Sequence, residues 1–301
     1  MKKLIVKVQN NAKEISAIKY IINEFKNVPY SAICKALRNK DIRINNIKIT
    51  KDTFVKEKDE IDIYLSNNIL FNIPKDIKYY YEDDNIIIAY KPQGVLSNNE
   101  DILNKLDEPT FEELVIKNLN NNNNIRICHR LDRNTSGLII FSKNEIAHLE
   151  ILEAFKNNQI HKEYITYVAN SKFNKNHEVL EAYLLRDNKK GFSKISTKKL
   201  PNFEKILTEY TVLERNIKLD YAKLSIILHT GKTHQIRAHL ASINHPVIGD
   251  SKYGKNEINK KFKKNKQLLF AYKYSFTFNT NSTLNYLNNK YFTLENTIVK
   301  I

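Results

Sequence analysis

The stretch from Ile125 to Lys143, IRICHRLDRNTSGLIIFSK, constrains this chain more than any other. Leu138, Ile139, Ile140 and Phe141 form an unbroken apolar run that follows the turn Asn134-Thr135-Ser136-Gly137. A short apolar run bounded by turn residues predicts a buried strand. Arg126, His129, Arg130 and Arg133 surround one carboxylate, Asp132, on the loop feeding that strand. Rigid folds tend to present reactive groups from such loops. Flanking cations favour the charged form of a carboxylate. The pattern therefore suits a nucleophile or a charge stabiliser better than a general acid. An isolated Arg-Leu-Asp-Arg would equally suit a structural ion pair or a turn cap.

The chain has 301 residues, 42% of them hydrophobic, enough for one large domain or a small and a large one. Its formal net charge of +16 favours a polyanionic partner, either nucleic acid or an anionic membrane surface. No apolar run is long enough to span a bilayer, and the N-terminus MKKLIVKVQNNAKE lacks the apolar core of a signal peptide. The two cysteines, Cys34 and Cys128, are far apart and show no metal-ligand spacing. These features predict a reduced, cytoplasmic protein with no metal and no other cofactor. A monomer is expected. Cys128 beside His129 reads as core packing rather than as a thiol nucleophile.

Residues 4–9 alternate weakly, as a first strand would. Residues 14–26 predict a helix with Ile15, Ile18, Ile22 and Phe25 on one face, stopped by Pro29. Ser31 would cap a second helix, with Ile33, Ala36 and Leu37 inward. Residues 42–49 and 61–65 alternate as half-buried strands. Lys35, Arg38, Lys40, Arg43 and Lys48 would be exposed on the second helix and the next strand. Residues 1–75 hold 15 Lys and Arg against 8 Asp and Glu, so this quarter carries +7 of the excess charge. Residues 67–78 read as a linker. A buried strand is predicted over Ile86–Tyr90, ended by Lys91-Pro92-Gln93-Gly94. Thr110 would cap a helix, and the asparagines at 120–124 would form a flexible loop.

Beyond the central stretch, residues 144–158 predict an amphipathic helix packed through Ile146, Leu149, Leu152 and Phe155. A strand with Lys162, Tyr164, Thr166 and Val168 on one face follows. Residues 189–205 are basic and turn-rich, as in an exposed hairpin. A strand over 222–230 leads to GKTHQIRAHLASINHPVIGDSKYG. Thr233 would cap a helix whose N-terminus, with Lys232 and His234, forms a ready phosphate site. Arg237, one turn in, faces the core and needs an anionic partner there. The run at 255–267 reads as a basic insertion or mobile loop.

His129-Arg130-Leu131-Asp132 followed by Thr135-Ser136-Gly137-Leu138 closely resembles the signature of the RluA-type pseudouridine synthases. Lys162-x-Tyr164 resembles the second motif of that family, and Leu228-x-x-Gly231-x-Thr233-His234-Gln235-Ile236-Arg237 its third. The helix–helix–strand–strand order of the first 66 residues resembles the αL RNA-binding domain of a small-subunit ribosomal protein. Two departures stand out. Lys232 replaces the usual arginine, and Phe270, in a closing strand expected at the sheet edge, replaces the usual histidine.

The resemblance implies an α+β chain, with an αL domain over 1–66, a linker over 67–78 and a catalytic domain over 79–301. The catalytic domain would be built on a mixed, largely antiparallel sheet. The implied reaction converts uridine in RNA to pseudouridine. Asp132 would be the catalytic residue, with Tyr164 against the uracil and Arg237 paired to Asp132. Asp132 could attack C1′ or remove a ribose proton. Arg130 would fill the space left by the flipped base or hold a neighbouring phosphate. Arg133, His129, Lys232, His234, Lys35, Arg38 and Arg43 would contact RNA. Large-subunit ribosomal RNA is the expected substrate, ahead of transfer RNA, by family analogy. A uracil-excising glycosylase and a non-catalytic RNA-binding or ribosome-assembly factor are the alternatives from other classes.

Overall fold

A computed structural model describes residues 2–8, 15–25, 28, 30–65, 74, 76–99, 108–187 and 191–299. The chain divides into two compact units. One contains the residues up to Asp76, with Glu108 and Pro109, and the other the remainder from Ile77 on. The linker expected over 67–78 falls largely outside the described residues.

The first unit contains β1 (Lys2–Lys7), β2 (Ile15–Ser16), α1 (Ala17–Glu24), α2 (Tyr30–Arg38), β3 (Ile42–Ile44), β4 (Ile47–Lys48), β5 (Phe54–Val55) and β6 (Glu60–Leu65). An antiparallel sheet in the order β1-β6-β3-β4 and the small pair β2-β5 accompany the two helices. Ile18, Ile21, Ile33, Ala36, Leu37, Val55, Ile61 and Ile63 form the core. The inward set of α2 is the one its spacing predicts. The first helix is shorter than its pattern, because Ile15 and Ser16 pair with Phe54 and Val55. Ser16 then caps α1, accepting from the Lys19 N–H. Ser31 lies inside the first turn of α2 and does not cap it. Lys35, Arg38, Lys40 and Lys48 are exposed. Arg43 is half-buried, over the Tyr64 ring.

The second unit contains β7 (Tyr79–Glu82), β8 (Ile86–Lys91), α3 (Phe111–Asn118), β9 (Arg126–Ile127), β10 (Ser136–Ser142), α4 (Glu145–Lys156), β11 (Ile160–Ala169), β12 (His177–Asp187), β13 (Phe192–Ser196), β14 (Glu204–Asn216), β15 (Tyr221–Leu228), α5 (Gln235–Ser242), α6 (Asn256–Lys261), β16 (Leu269–Phe276) and β17 (Tyr291–Thr293). Its sheet runs β13-β12-β14-β15-β11-β16-β10-β8-β7, with β9 and β17 attached to β10 and β16. Every pairing is antiparallel except β10 with β16, so the sheet is mixed and largely antiparallel. The second unit is thus an α+β fold.

The apolar run at 138–141 is continuous because β10 lies inside the sheet with both faces covered. Leu138 and Ile140 enter one core, and Ile139 and Phe141 the other. Gly137, at φ 137°, sits where the parallel pair forms. A Cβ there would lie 2.5 Å from the Ala271 N and O, so only glycine lets β16 approach. Thr110 and Glu113 form a reciprocal capping box on α3.

Three expectations are corrected. In α4, Asn144 caps the helix, but the buried residues are Ala147, Ile151 and Ala154, while Ile146 and Leu149 are 62% and 58% exposed. Two adjacent faces satisfy the same period. The Glu150 carboxylate, held by Ser282 and Thr283, fits the turn that is seen, and the two alanines allow close approach to the sheet. The basic segment at 255–267 is no mobile loop throughout, since it begins with the short helix α6 over Asn256–Lys261. Asn259 there accepts from the Gly249 N–H and donates to the Asp250 carbonyl, and Ile258 and Phe262 pack on the core. The closing strand β16 is no edge. It lies between β10 and β11, with Phe270 buried. Among the described residues, no helix is long and apolar enough to cross a membrane.

Candidate active site

Asp132 stands on the loop between β9 and β10, and that loop is held from beneath. Ser97 Oγ donates to the Leu131 carbonyl and accepts the Leu131 N–H. The Lys91 side chain is fully buried at the end of β8. Its ammonium donates to the carbonyls of Pro92, Val95 and Arg133, at 3.1, 2.7 and 3.1 Å. The Gly94 N–H also reaches the Arg133 carbonyl, and the Arg133 guanidinium returns to the Gly94 carbonyl. The turn Lys91-Pro92-Gln93-Gly94 thus clamps the backbone beside Asp132. The sequence marked that turn as a strand end; the clamp needed the structure.

Arg237 projects from the first turn of α5 and is 5% exposed. Its Nη1 donates to Asp132 Oδ2 at 2.9 Å, joining the two stretches as the sequence suggested. Its firmer partner is Asp250. Nε and Nη2 make a two-pronged contact with the Asp250 carboxylate, at 2.7 and 3.0 Å. Burial would raise the Asp250 pKa. The Arg237 guanidinium and the N–H groups of Lys252 and Tyr253 overcome this and hold it below the usual carboxylate range. Burial also opposes the Arg237 charge, but Asp250 and Asp132 together hold its pKa above the ordinary value. Asp250 is a site residue to which the sequence reading gave no role. The signal was the need of a buried guanidinium for more acceptors than one carboxylate oxygen.

The cleft in front of Asp132 has a volume of about 270 Å³ and is lined by His129, Arg130, Lys162, Tyr164, Leu228, Lys232, His234 and Arg237, among others. That is close to the roughly 300 Å³ lower bound for small-molecule sites. Tyr164 reaches it from β11. Burial first, and Asp132 second, push the Tyr164 pKa up, so its phenol stays neutral. Asp132 Oδ1 has no hydrogen-bond partner among the described residues. One carboxylate oxygen is thus fixed by a cation, and the other is left for a substrate.

Several residues expected to meet RNA as cations are placed otherwise. His129 packs edge-on against Phe155 and beside Tyr274, and its Nε2 accepts the Ile140 N–H. Burial lowers its pKa to about 3, so it is neutral. His234 is also neutral, at about 4, through burial and then the cations Arg237, Lys252 and Arg186, against the pull of Asp132. Lys232 is ion-paired to Glu204. Thr233 does not cap α5. The N-cap is His234 itself, in a left-handed conformation at φ 59° with no side-chain cap bond. The helix cap that the sequence placed at Thr233, beside Lys232 and His234, is therefore absent. Arg130 is exposed at the cleft. Lys35, Arg38 and Arg43 belong to the N-terminal unit. The hairpin around 189–205 is not wholly exposed either, because Ser193 is buried and its Oγ donates to the Thr233 carbonyl.

This electrostatic arrangement has two measurable consequences. Arg237→Ala should destabilise the second unit by about 3–5 kcal/mol, the usual penalty for stranding a buried partner. The Asp250 side chain is 0% exposed and that of Asp132 21%. Urea unfolding of double-mutant cycles should therefore show stronger coupling of Arg237 to Asp250 than to Asp132. Equal couplings would show that Asp250 is not the main anchor. The second consequence concerns pH. His129, His234 and His239 are buried neutral at about 3, 4 and 4, whereas unfolded histidine titrates near 6.5. Unfolding then takes up protons between these values. Stability from these groups should be complete above about pH 6.5 and fall towards pH 4, by up to about 1.4 kcal/mol per pH unit for each histidine. A melting temperature that is flat from pH 6.5 to 4.5 would contradict this.

Comparison with known proteins identifies the family. Residues 85–242 match the family model described as RNA pseudouridylate synthase. An uncharacterized RNA pseudouridine synthase of Mycoplasma capricolum is 32% identical over 300 residues, covering 94% of each chain. The ribosomal large subunit pseudouridine synthase C of Buchnera aphidicola is 30% identical, covering 88% of this chain and 86% of that one. The synthase D of Borreliella burgdorferi is 34% identical, covering 76% and 68%. Human RNA pseudouridylate synthase domain containing 1 shares the fold, with a TM-score of 0.57 and 22% identity over 68% of this chain and 80% of its own. The three motifs, the mixed sheet and the sequence match lead to one conclusion: the chain belongs to the RluA-type RNA pseudouridine synthases and is an isomerase acting on RNA.

Proposed function

We propose that the chain isomerises uridines of large-subunit ribosomal RNA, with Asp132 as the carboxylate that acts on the ribose. The observation that carries this reading is the asymmetric setting of Asp132. Oδ2 is fixed by a buried guanidinium, and Oδ1 is unpartnered among the described residues, in a cleft of about 270 Å³ beside Tyr164. In the reaction the N1–C1′ bond breaks with its electron pair going to the base, and the base turns. C5 then joins C1′ and gives up its hydrogen as a proton, and N1 takes up a proton, so the product is an isomer. Positive charge develops on the sugar as N1 leaves, and a carboxylate beside C1′ stabilises it, as in glycosidases. Uracil departs as a delocalised anion, so the site needs no second acid. Tyr164 offers a neutral ring against the base, and Arg237 orients Asp132. Arg130, exposed at the rim, fills the space of the flipped base or meets the adjacent phosphate. Ribosomal RNA is preferred because the synthases C and D among the relatives bear that description.

Residues 1–66 are proposed to act as an αL-type RNA-binding domain, with Lys35, Arg38 and Arg43 towards the phosphates. The excess of positive charge there and the exposure of Lys35 and Arg38 support this.

Asp132→Asn should abolish pseudouridine in ribosomal RNA, read by nucleoside chromatography, while RNA affinity stays near that of the parent. Turnover close to the parent rate would remove Asp132 from the chemistry. Replacing Lys35, Arg38, Lys40 and Lys48 together by Gln should flatten the plot of log affinity against log salt, by roughly 0.7–0.9 for each phosphate that is no longer neutralised. An unchanged slope would show that this face does not bind RNA.

A further inference from the structure

The imidazole of His234 is held by donors on one side only. Arg186 Nη1 donates to its Nδ1 at 3.2 Å. The Tyr253 hydroxyl lies 2.9 Å from the same Nδ1. That hydroxyl already accepts the Ser193 N–H at 2.7 Å, so its own hydrogen is free for His234. An Nδ1 that accepts from two donors carries no hydrogen, and a neutral ring then bears its hydrogen on Nε2. Nε2 lies 3.9 Å from Asp132 Oδ2, too far for a hydrogen bond between them but within the same cleft. The side chain is 10% exposed. The backbone takes up a left-handed conformation, φ 59° and ψ 17°, uncommon for a residue other than glycine. Such strain persists where the surroundings over-determine it, and it clusters at functional sites. Three elements, β12, β13 and the segment after Asp250, thus supply the groups that set one ring's tautomer and aim.

We propose that His234 is a fixed neutral hydrogen-bond donor to the departing uracil, through Nε2–H to the O2 carbonyl, and that Tyr253 and Arg186 are the residues that position it. This rests on the reading that Asp132 acts on the ribose. The chemistry places the donor where it is needed. When the N1–C1′ bond breaks, its electron pair goes to the base and spreads onto O2 and O4. O2 belongs to the carbonyl attached to N1, so it is the uracil oxygen nearer C1′. A group acting at C1′ therefore has O2 for a neighbour. A donor one contact beyond the carboxylate can meet the developing charge without giving up its proton. A neutral imidazole suits this better than a cation, because an imidazolium would pair with Asp132 itself and draw it from the sugar. Donors aimed in advance at developing charge stabilise the transition state more than the ground state.

The test has two arms on the full-length enzyme. In the first, ¹⁵N-histidine NMR of the unmodified protein reads the tautomer. Nε2–H is expected; an Nδ1–H ring or an imidazolium at pH 7 would overturn the proposal whether or not any variant folds. In the second, pseudouridine formation is measured at saturating and limiting ribosomal RNA. His234→Ala should lower kcat by about a hundredfold, the usual effect of removing one such donor, with KM little changed. His234→Gln, which can present an amide N–H, should recover part of the loss. Tyr253→Phe combined with Arg186→Met, which removes both donors to Nδ1, should lower kcat and release the tautomer in the same protein. An unchanged kcat in His234→Ala, with Asp132→Asn inactive, would sink the role of His234 and leave that of Asp132 standing. An active Asp132→Asn would overturn both.

Discussion

One guanidinium organises this catalytic unit. Arg237 is a buried cation that must meet its acceptors inside the protein or lose them altogether. Asp250 gives it two oxygens in fork geometry, with the N–H groups of Lys252 and Tyr253 behind them. That leaves Nη1 for Asp132. A charge so fixed has few ways to relax, and Asp132 inherits its position from it. A carboxylate on a loop would ordinarily sample several rotamers. Here one of its oxygens is fixed by a residue more than a hundred positions away, and the backbone beside it is clamped by the Lys91 ammonium.

The sheet explains why those distant pieces meet. β10 and β16 form the one parallel pair among the described strands of this sheet, and Gly137 permits their approach. The loop before β10 carries Asp132, and the segment leading to β16 is tied to it by Gln267, which donates to Thr135 Oγ1. β15, two strands away, runs into α5 and Arg237. Gln235 secures that corner, accepting the Lys232 N–H and donating to the Leu207 carbonyl. The geometry around Asp132 is thus set by strand order and by polar groups buried under the loops, with little help from the surface. The position of α6 belongs to the same scheme, since Asn259 holds the turn that presents Asp250.

Much of this was legible in the residues. The apolar run at 138–141, the inward face of α2, the cap at Thr110 and the inward Arg237 all follow from period, propensity or the cost of an unpaired charge. What escaped was whatever depends on a third element. The packed face of α4 was ambiguous, because Ala147, Ile151 and Ala154 share the period of Ile146 and Leu149, and its partners Ser282 and Thr283 lie far away in sequence. The histidines misled for a related reason. A basic neighbourhood suggests phosphate binding, but burial makes His129 and His234 neutral, and burial is not visible in a local string. Asp250 was in view, yet nothing in its own neighbourhood said that Arg237 would turn two of its nitrogens to it. Lys232 looked free until β14 brought Glu204 beside it.

The central claim is that Asp250, which lies behind Arg237 and outside the lining of the cleft, governs chemistry at Asp132. The direct measurement uses ribosomal RNA tritiated at C5 of uridine, because that hydrogen is displaced when C5 joins C1′. With saturating RNA, Asp250→Asn should release tritium far more slowly than the parent, while half-saturation occurs at the same RNA concentration. Release at the parent rate from a folded Asp250→Asn protein would contradict the claim, since Asp132 would then need no anchored arginine behind it.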